Sequence, residues 1–364
     1  MKIGIVIEPY EQEGASGMAF FLAQLASNLI SADTQNTYVL YASEQIAPEV
    51  IAGTFDQVRI PKGTLRKMLW FFGRKLDVDV LLFVAPLLAL YPSTQTKTVL
   101  MCQELPNRSV TPGSLRARIE EWIRDTILMP LTVARASVVT TPTHATEKDI
   151  LELYKKAKGK TKVIPHGFRD FSAIVPSEKL PEGVEEPFLF FTGRVKHRKN
   201  VHGIVSAFIE YRERTHSTVQ LVIGGGYGGK YYSDMLEKLK EHGLEGEVHF
   251  IGFVTEAELL TLYKKCTAFL FPSLSEGFGM PLLEAMSLGV PVVTSSISSM
   301  PEVAGDSALL VDPYSIADMS EAFERIATDT ALRAELIKKG LMRASEFTWE
   351  KCAQDFLMAM DRGK

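Results

Sequence analysis

The feature that most constrains this chain is an alternation that runs once, stops, and starts again. Apolar runs of strand length, rich in Val, Ile, Leu and Phe, fall near residues 2–7, 37–41, 57–60, 79–84, 97–101, 137–140 and 161–164. Helix-length segments lie between several of them, near 17–30, 114–134 and 143–156. A second series places strands near 187–191, 218–223, 247–251, 267–271 and 290–293, with helices near 200–213, 230–241, 255–264, 280–288 and 315–327. Runs that are apolar on both faces are what parallel strands covered by helices require. Between the two series lie Pro165-His166-Gly167 and a stretch holding Pro176, Pro181 and Pro187, the best linker candidate. The 364 residues therefore read as an α/β chain of two doubly wound, Rossmann-like domains, 1–168 and 169–347, followed by an amphipathic helix within 348–364. Ligands in such folds bind beyond the carboxyl ends of the strands, so the expected site is a cleft between facing domains.

Composition narrows the classes of function. The net charge is −4, with 20 Lys+Arg against 17 Asp+Glu over residues 1–170 and 20 against 27 over the remainder. A nucleic-acid binder would carry a strong basic footprint, which is missing here. Cys102, Cys266 and Cys352 have no metal-ligand spacing, and so sparse an odd count fits a reduced, cytoplasmic compartment. No run of about 18 apolar residues is present to span a bilayer. The short apolar run that begins the chain reads as a first strand rather than a signal peptide.

The segment Phe271–Met286 carries the most chemistry. A strand ends at Pro272, and a loop then holds Glu276 among small residues. Pro281 suits the first turn of a helix, where its missing N–H would be unpaired anyway. Gly277 and Gly279 allow the backbone to approach a ligand closely, and the free N–H groups of a helix start form an anion site. Helical side chains lean toward the N-terminus, so Glu284 is expected to point back at the loop that holds Glu276. Two carboxylates beside a phosphate cradle suit a ligand with hydroxyls next to phosphates. The plainer alternative is a capped helix with two solvated glutamates.

A second constellation, Phe191–Asn200, follows the first strand of the second series and opens a helix. Arg194 offers a planar fork and Lys199 a mobile point charge to a diphosphate. Without a metal, this pair would neutralise a departing nucleoside diphosphate. Cations at a helix start oppose its dipole, so a bound anion explains them better than solvent does. Lys196 and Arg198 are expected to be solvated. A third, weaker signal is Gly14-Ala15-Ser16-Gly17, a glycine loop after the first strand. A fourth, Gly224–Gly229, fits G-x-G-x-x-G through Gly224, Gly226 and Gly229 and raises the alternative of an NAD(P)-dependent oxidoreductase. Against it, the match lies mid-chain and the strand near 247–251 does not end in an acid able to hold a ribose. Asp77-Val78-Asp79 precedes a strand and reads as a solvated strand entrance, not a metal site.

Glu276 and Glu284, eight residues apart around Gly-Phe-Gly-Met-Pro, resemble the E-x7-E signature of retaining glycosyltransferases of family four, the group 1 glycosyl transferases. Gly193-Arg194 with Lys199 is similar to that family's diphosphate-binding pair, and Gly14–Gly17 to its N-terminal glycine loop. Ile251–Thr255 resembles the segment that reads the nucleobase through its backbone, and Pro165-His166-Gly167 the linker element, with His166 in place of Asn. The resemblance implies the GT-B fold, with the C-terminal helix returning to the N-terminal domain. It implies transfer of a hexose from a nucleoside diphosphate sugar to a polysaccharide or lipid-linked glycan, with retention and no obligatory metal. Carried over, Glu284 would hold the ribose and Glu276 the donor sugar. The N–H groups of Phe278, Gly279 and Met280 would hold sugar or phosphate, Arg194 and Lys199 the diphosphate, and Gly193, Gly225, Phe253 and Val254 would complete the donor site. Gly14 and Gly17 would also face the donor, and Ser16 and His166 the acceptor side or linker. One departure stands out. Gln103-Glu104 occupies the place of the family's His-Asp. Glutamine lacks an imidazole and does not exchange protons at neutral pH, so the site is either adapted to another sugar or acceptor, or weakly active. The complete set of donor-side residues favours an active enzyme. UDP-glucose is the first expectation for the donor and GDP-mannose the alternative. A non-catalytic nucleotide-sugar binder and an epimerase of the same fold stay open.

Residues 61–76 hold Lys62, Arg66, Lys67, Arg74 and Lys75, no acid, and an interleaved Leu65, Met68, Leu69, Trp70, Phe71 and Phe72. A basic, aromatic-rich helix of this kind can lie on an anionic membrane. Its plainer alternative is a surface helix that packs Leu69 and Phe72 inward.

Overall fold

Each apolar run becomes a parallel strand. In the computed structural model, which describes residues 1–7, 17–47, 50–72, 74–84, 96–103, 119 and 122–361, the chain divides into two units. Unit 1 comprises Met1–Gly167 and Phe347–Lys364, and unit 2 comprises Phe168–Glu346.

In unit 1, β1 (Lys2–Val6), β2 (Thr37–Ala42), β3 (Asp56–Arg59), β4 (Val80–Val84), β5 (Lys97–Met101), β6 (Val138–Thr141) and β7 (Thr161–Val163) form one sheet in the order β3-β2-β1-β4-β5-β6-β7. In unit 2, β8 (Phe188–Thr192), β9 (Gln220–Gly224), β10 (Val248–Gly252), β11 (Ala268–Phe271), β12 (Val292–Ser295) and β13 (Leu309–Val311) form a second, in the order β10-β9-β8-β11-β12-β13. Both sheets are parallel throughout. Both reverse direction beside their first strand, as doubly wound folds do. The central strands are buried on both faces. Phe188, Leu189, Phe190 and Phe191 are fully enclosed, as are Leu221, Val222 and Ile223. That double burial is why these strands read as unbroken apolar runs.

Helices cover the sheets. In unit 1 they are α1 (Gly17–Ala32), α2 (Thr64–Phe71), α3 (Met129–Arg135), which continues a π-turn over Arg124–Leu128, and α4 (His144–Leu153). In unit 2 they are α5 (Val201–Thr215), α6 (Gly229–Glu241), α7 (Glu256–Lys265), α8 (Met280–Ser287), α9 (Met300–Ala304), α10 (Ile316–Thr328) and α11 (Thr330–Ala344). Their starts are chemically explicit. At α7, Thr255 and Glu258 exchange hydrogen bonds in a capping box, the Thr255 N–H donating to Glu258 Oε2 at 2.7 Å. Ser315 and Asp329 cap α10 and α11 through their side chains. Three elements escape the periodicity. β13 has three residues and is half exposed. α9 has five residues. α11 buries Leu336 together with Gly340 and Ala344, small residues that leave little apolar signal.

The last helix, α12 (Trp349–Met360), belongs to unit 1. Thr348 caps its start, accepting from the Lys351 N–H. Lys97 of β5 closes its end, donating from Nζ to the carbonyls of Met360 and Asp361 at 3.2 and 2.7 Å. Trp349 packs near Phe20 and Phe21 of α1, and its ring lies parallel to that of His166. The chain passes under Trp349 at Gly167, where an added Cβ would stand 2.6 Å from the indole. His166 thus lies just before the boundary between the units, as a linker residue would, and is packed into the core of unit 1. Its ring lies 4.3 Å from that of Phe21, it is 4% exposed, and burial pushes its pKa down to about 3, so it is neutral.

α2 also differs from expectation. Met68 and Phe71 face the sheet, while Leu65, Leu69 and Phe72 are 68%, 57% and 56% exposed. The plainer alternative of Leu69 and Phe72 packing inward is overturned by this helical phase. Lys67 is buried, so it is not one of the surface cations. Among the described residues no helix is long and apolar enough to cross a membrane.

Candidate donor-binding site

Unit 2 reverses its strand order between β8 and β11. At such a switch point two neighbouring loops part and leave a crevice beyond the strand ends. The loops that leave β8 and β11 carry most of the residues singled out in the sequence.

The loop after β8 makes one 3₁₀ turn, His197–Lys199, before α5, rather than opening a helix directly. Asn200 joins the two in the left-handed region, at φ 56°, which Asn tolerates better than most residues. It is buried and donates from Nδ2 to the carbonyls of Pro272 and Pro313, at 3.1 and 2.7 Å. Asn200 thereby fastens this loop to the one after β11. Its place between a basic run and a helix was the signal that could have marked it.

Glu276 lies where the loops meet. Its side chain is 8% exposed, with Lys199 Nζ 2.7 Å from Oε1 and Arg198 Nη1 2.9 Å from Oε2. Arg198 also donates to the Ser275 carbonyl at 3.0 Å, and its own carbonyl accepts from the Leu274 N–H at 2.9 Å. A third loop, after β12, closes the arrangement. The Glu276 N–H donates to Ser298 Oγ, while the hydroxyls of Ser298 and Ser299 donate to the Glu276 carbonyl at 2.9 and 2.8 Å. Burial alone would raise the carboxyl's pKa, but Lys199 and Arg198 outweigh it and hold the group below the ordinary carboxylate range. The expectation that Arg198 is solvated is therefore corrected. Lys199 is further placed 4.6 Å from the centre of the Phe271 ring. Arg194 is exposed, and no described carboxylate pairs with it.

Glu284 takes a different set of partners. It is 5% exposed and its Oε2 accepts from the Tyr263 hydroxyl at 3.2 Å, with Arg169 adding its charge and a backbone hydrogen bond. Burial pushes its pKa up, and Arg169 and Tyr263 only partly offset this. Tyr263 is itself fully buried among Phe171, Phe190 and Phe269. The two carboxylates are thus both buried and held by separate partners, Glu276 by Lys199 and Arg198 and Glu284 by Tyr263 and Arg169.

The glycines hold the loops together. Gly225, at φ +116°, lies against Gly193, and a Cβ on it would stand 2.3 Å from the Gly193 carbonyl oxygen. The Gly193 N–H donates to the Gly224 carbonyl, Val195 to Gly226, and Gly225 to Gly252. Phe253 covers Gly226 and is 73% exposed, and Val254 beside it is half-buried. Loop packing thus accounts for Gly225 and Gly226, whereas Gly229 has open space around it. At the start of α8, Gly279 is left-handed (φ 96°) and touches Met300, Phe278 is buried and Met280 half-buried.

The structure therefore gathers Gly193, Lys199, Gly225, Phe253, Val254, Glu276, Phe278 and Gly279 on loops at the carboxyl ends of β8, β9, β10 and β11, with Met280 at the start of α8 beside them. Gly17, the exposed first residue of α1, and half-buried Gln103, beyond β5, lie in unit 1. Gly14, Ser16 and Glu104 lie outside the described residues.

Unit 2 carries the match to a known family. Residues 176–342 fit the model described as Glycosyl transferases group 1. Over 196 residues the chain is 34% identical to O-antigen chain mannosyltransferase B of Escherichia coli, a match covering 52% of this chain and 51% of that protein. It is 26% identical over 267 residues to the serotype-specific mannosyltransferase WbdA of Escherichia coli, covering 71% of this chain and 32% of WbdA. The chain thus spans about half the length of the first of these relatives and about a third of the second. Among solved structures, the sucrose-phosphate synthase of Thermosynechococcus elongatus superposes with a TM-score of 0.77 at 20% identity, over 98% of this chain and 97% of that one. The fold is that of the GT-B glycosyltransferases, two Rossmann-like parallel-sheet units. The oxidoreductase alternative finds no support in these likenesses.

Proposed function

We propose that this chain is a glycosyltransferase that moves a hexose from a nucleoside diphosphate sugar to a glycan or lipid-linked glycan, with retention of configuration and without an obligatory metal. The observation that carries this reading is the convergence of Lys199, Arg198 and Glu276 at the switch point of unit 2. Two cations against one carboxylate leave the cluster with a net positive charge, and Arg194 adds another nearby in the chain. Such a cluster attracts a diphosphate and stabilises the charge that grows on it as the glycosidic bond breaks. In this reading Glu276 holds a sugar hydroxyl, and Glu284, with Tyr263 and Arg169 beside it, a ribose hydroxyl. Of the two donors left open by the residues, UDP-glucose and GDP-mannose, the mannosyltransferase relatives favour the second. The test is calorimetric titration with GDP-mannose, UDP-glucose and NAD, each with EDTA present. One nucleotide sugar binds without metal, and Glu284→Gln weakens it roughly 10- to 100-fold. Binding of NAD alone, or a strict need for metal, would refute the corresponding part of the proposal.

The acceptor end of the reading rests on α2. Leu65, Leu69 and Phe72 form an exposed stripe at helical spacing, with Arg66 exposed beside it and the Arg74 guanidinium 4.6 Å from the Trp70 ring. No acid occurs between residues 61 and 76. An apolar stripe edged by cations fits the surface of an anionic bilayer, where a lipid-linked acceptor would be held. Arg66→Glu with Arg74→Glu should lower co-sedimentation with phosphatidylglycerol vesicles by roughly tenfold or more. Equal partitioning of variant and wild type would end this assignment.

A further inference from the structure

Arg198 and Lys199 are adjacent cations committed to one carboxylate, and the two are not equivalent. Arg198 is fastened. Beyond its contact with Glu276 Oε2, its guanidinium donates to the Ser275 carbonyl and its own carbonyl accepts from Leu274. Lys199 holds Oε1 by a single flexible arm that rests over the Phe271 ring. A carboxylate that is 8% exposed and loses its only counter-charge becomes costly to keep ionised. One with two counter-charges can release one of them.

We propose that Arg198 is a positioning residue that keeps Glu276 ionised and in place while Lys199 is handed over from Glu276 to the diphosphate of an incoming donor. This rests on the donor site assigned above. Before a donor binds, Lys199 is paired with Glu276. When a diphosphate arrives, the ammonium swings to it, and the Glu276 carboxylate stays with Arg198, aimed at the sugar. The charged groups acting on Glu276 are Lys199 and Arg198 from the loop after β8. The loop after β12 places the hydroxyls of Ser298 and Ser299 on the Glu276 backbone. Glu284 of α8 is turned to Tyr263 and Arg169. With Arg198 discharged, Lys199 can leave only if Glu276 takes up a proton. Donor binding then becomes linked to protonation where it was not before.

The experiment is calorimetry of the full chain with GDP-mannose and UDP-glucose in buffers of different ionisation enthalpy, which counts protons taken up per donor bound. Both probes are diphosphate diesters that do not titrate near neutral pH. Wild type should bind with almost no proton uptake. Arg198→Gln, which keeps a hydrogen-bond donor but no charge, should take up a proton, to about one per donor, and bind roughly tenfold more weakly at neutral pH than wild type. Arg198→Lys should return uptake to nearly zero. A purely structural role for Arg198 would alter stability and leave proton uptake unchanged. Wild-type affinity and no uptake in Arg198→Gln would overturn the proposal, as would uptake in Arg198→Lys equal to that in Arg198→Gln. Should Arg198→Gln fail to fold, the wild type carries the test, because a proton taken up by it between about pH 5.5 and 7.5 contradicts the hand-over. Failure of both probes to bind the wild type would instead count against the donor site itself.

Discussion

Glu276→Gln should lower sugar transfer by roughly 10²–10³-fold, the size of effect seen when one preorganised polar contact to a reacting group is removed. The substitution keeps shape and removes charge, so its consequences separate cleanly. The lost carboxylate no longer anchors the donor sugar, which lowers the rate. It also leaves Lys199 and Arg198, whose side chains are 16% and 22% exposed, without their counter-charge. Stripping one partner from a buried ion cluster costs about 3 kcal/mol or more, so unit 2 should also unfold at lower temperature. Nucleoside diphosphate affinity, by contrast, should hold or rise, because the two cations are now unopposed. Transfer assays, thermal unfolding and diphosphate titration on one preparation check all three. Undiminished transfer would remove Glu276 from the reaction.

Gly225→Ala should disorder the site without touching any charged group. A side chain there meets the carbonyl of Gly193, which belongs to the backbone and cannot rotate away, and it must do so at φ +116°. Overpacking and left-handed strain together amount to about 3 kcal/mol. The loops after β8 and β9 would have to part, breaking the Gly193–Gly224 and Val195–Gly226 hydrogen bonds. That displaces the segment carrying Lys199, so donor binding should fall along with the melting temperature. Gly246→Ala is the control. A Cβ at Gly246 meets nothing within 4 Å, and its change should stay within about 0.5 kcal/mol. Matching melting curves and donor affinities for the two variants would show that the Gly193–Gly225 contact is unimportant.

The strands were legible because burial on both faces writes itself as an unbroken apolar run, as in Phe188–Phe191. The loop holding Glu276 was legible because glycines and a proline at a helix start have few structural explanations. Arg198 was not. Its partner lies 78 residues along the chain, and nothing local distinguishes a cation that pairs with a carboxylate from one that faces water. The same holds for Glu284, whose choice of Tyr263 and Arg169 is decided by how α7 and α8 pack on the sheet. The burial of His166 was hidden for a related reason. A histidine after a proline suggests a linker, and only the return of Trp349 makes that position a core. On α2 the composition was readable and the phase was not, because six large apolar residues crowded into eight positions leave several faces equally apolar.

The membership of α12 in unit 1 has a consequence for how the molecule comes into being. The strands of unit 1 are synthesised before unit 2, yet Phe20, Phe21 and His166 lack their cover until Trp349 follows unit 2 out of the ribosome. All of unit 2 is synthesised in the interval and can fold on its own schedule, since domains generally fold as units. Unit 1 is therefore begun before unit 2 and completed after it, and its aromatic face stays uncovered while unit 2 is made.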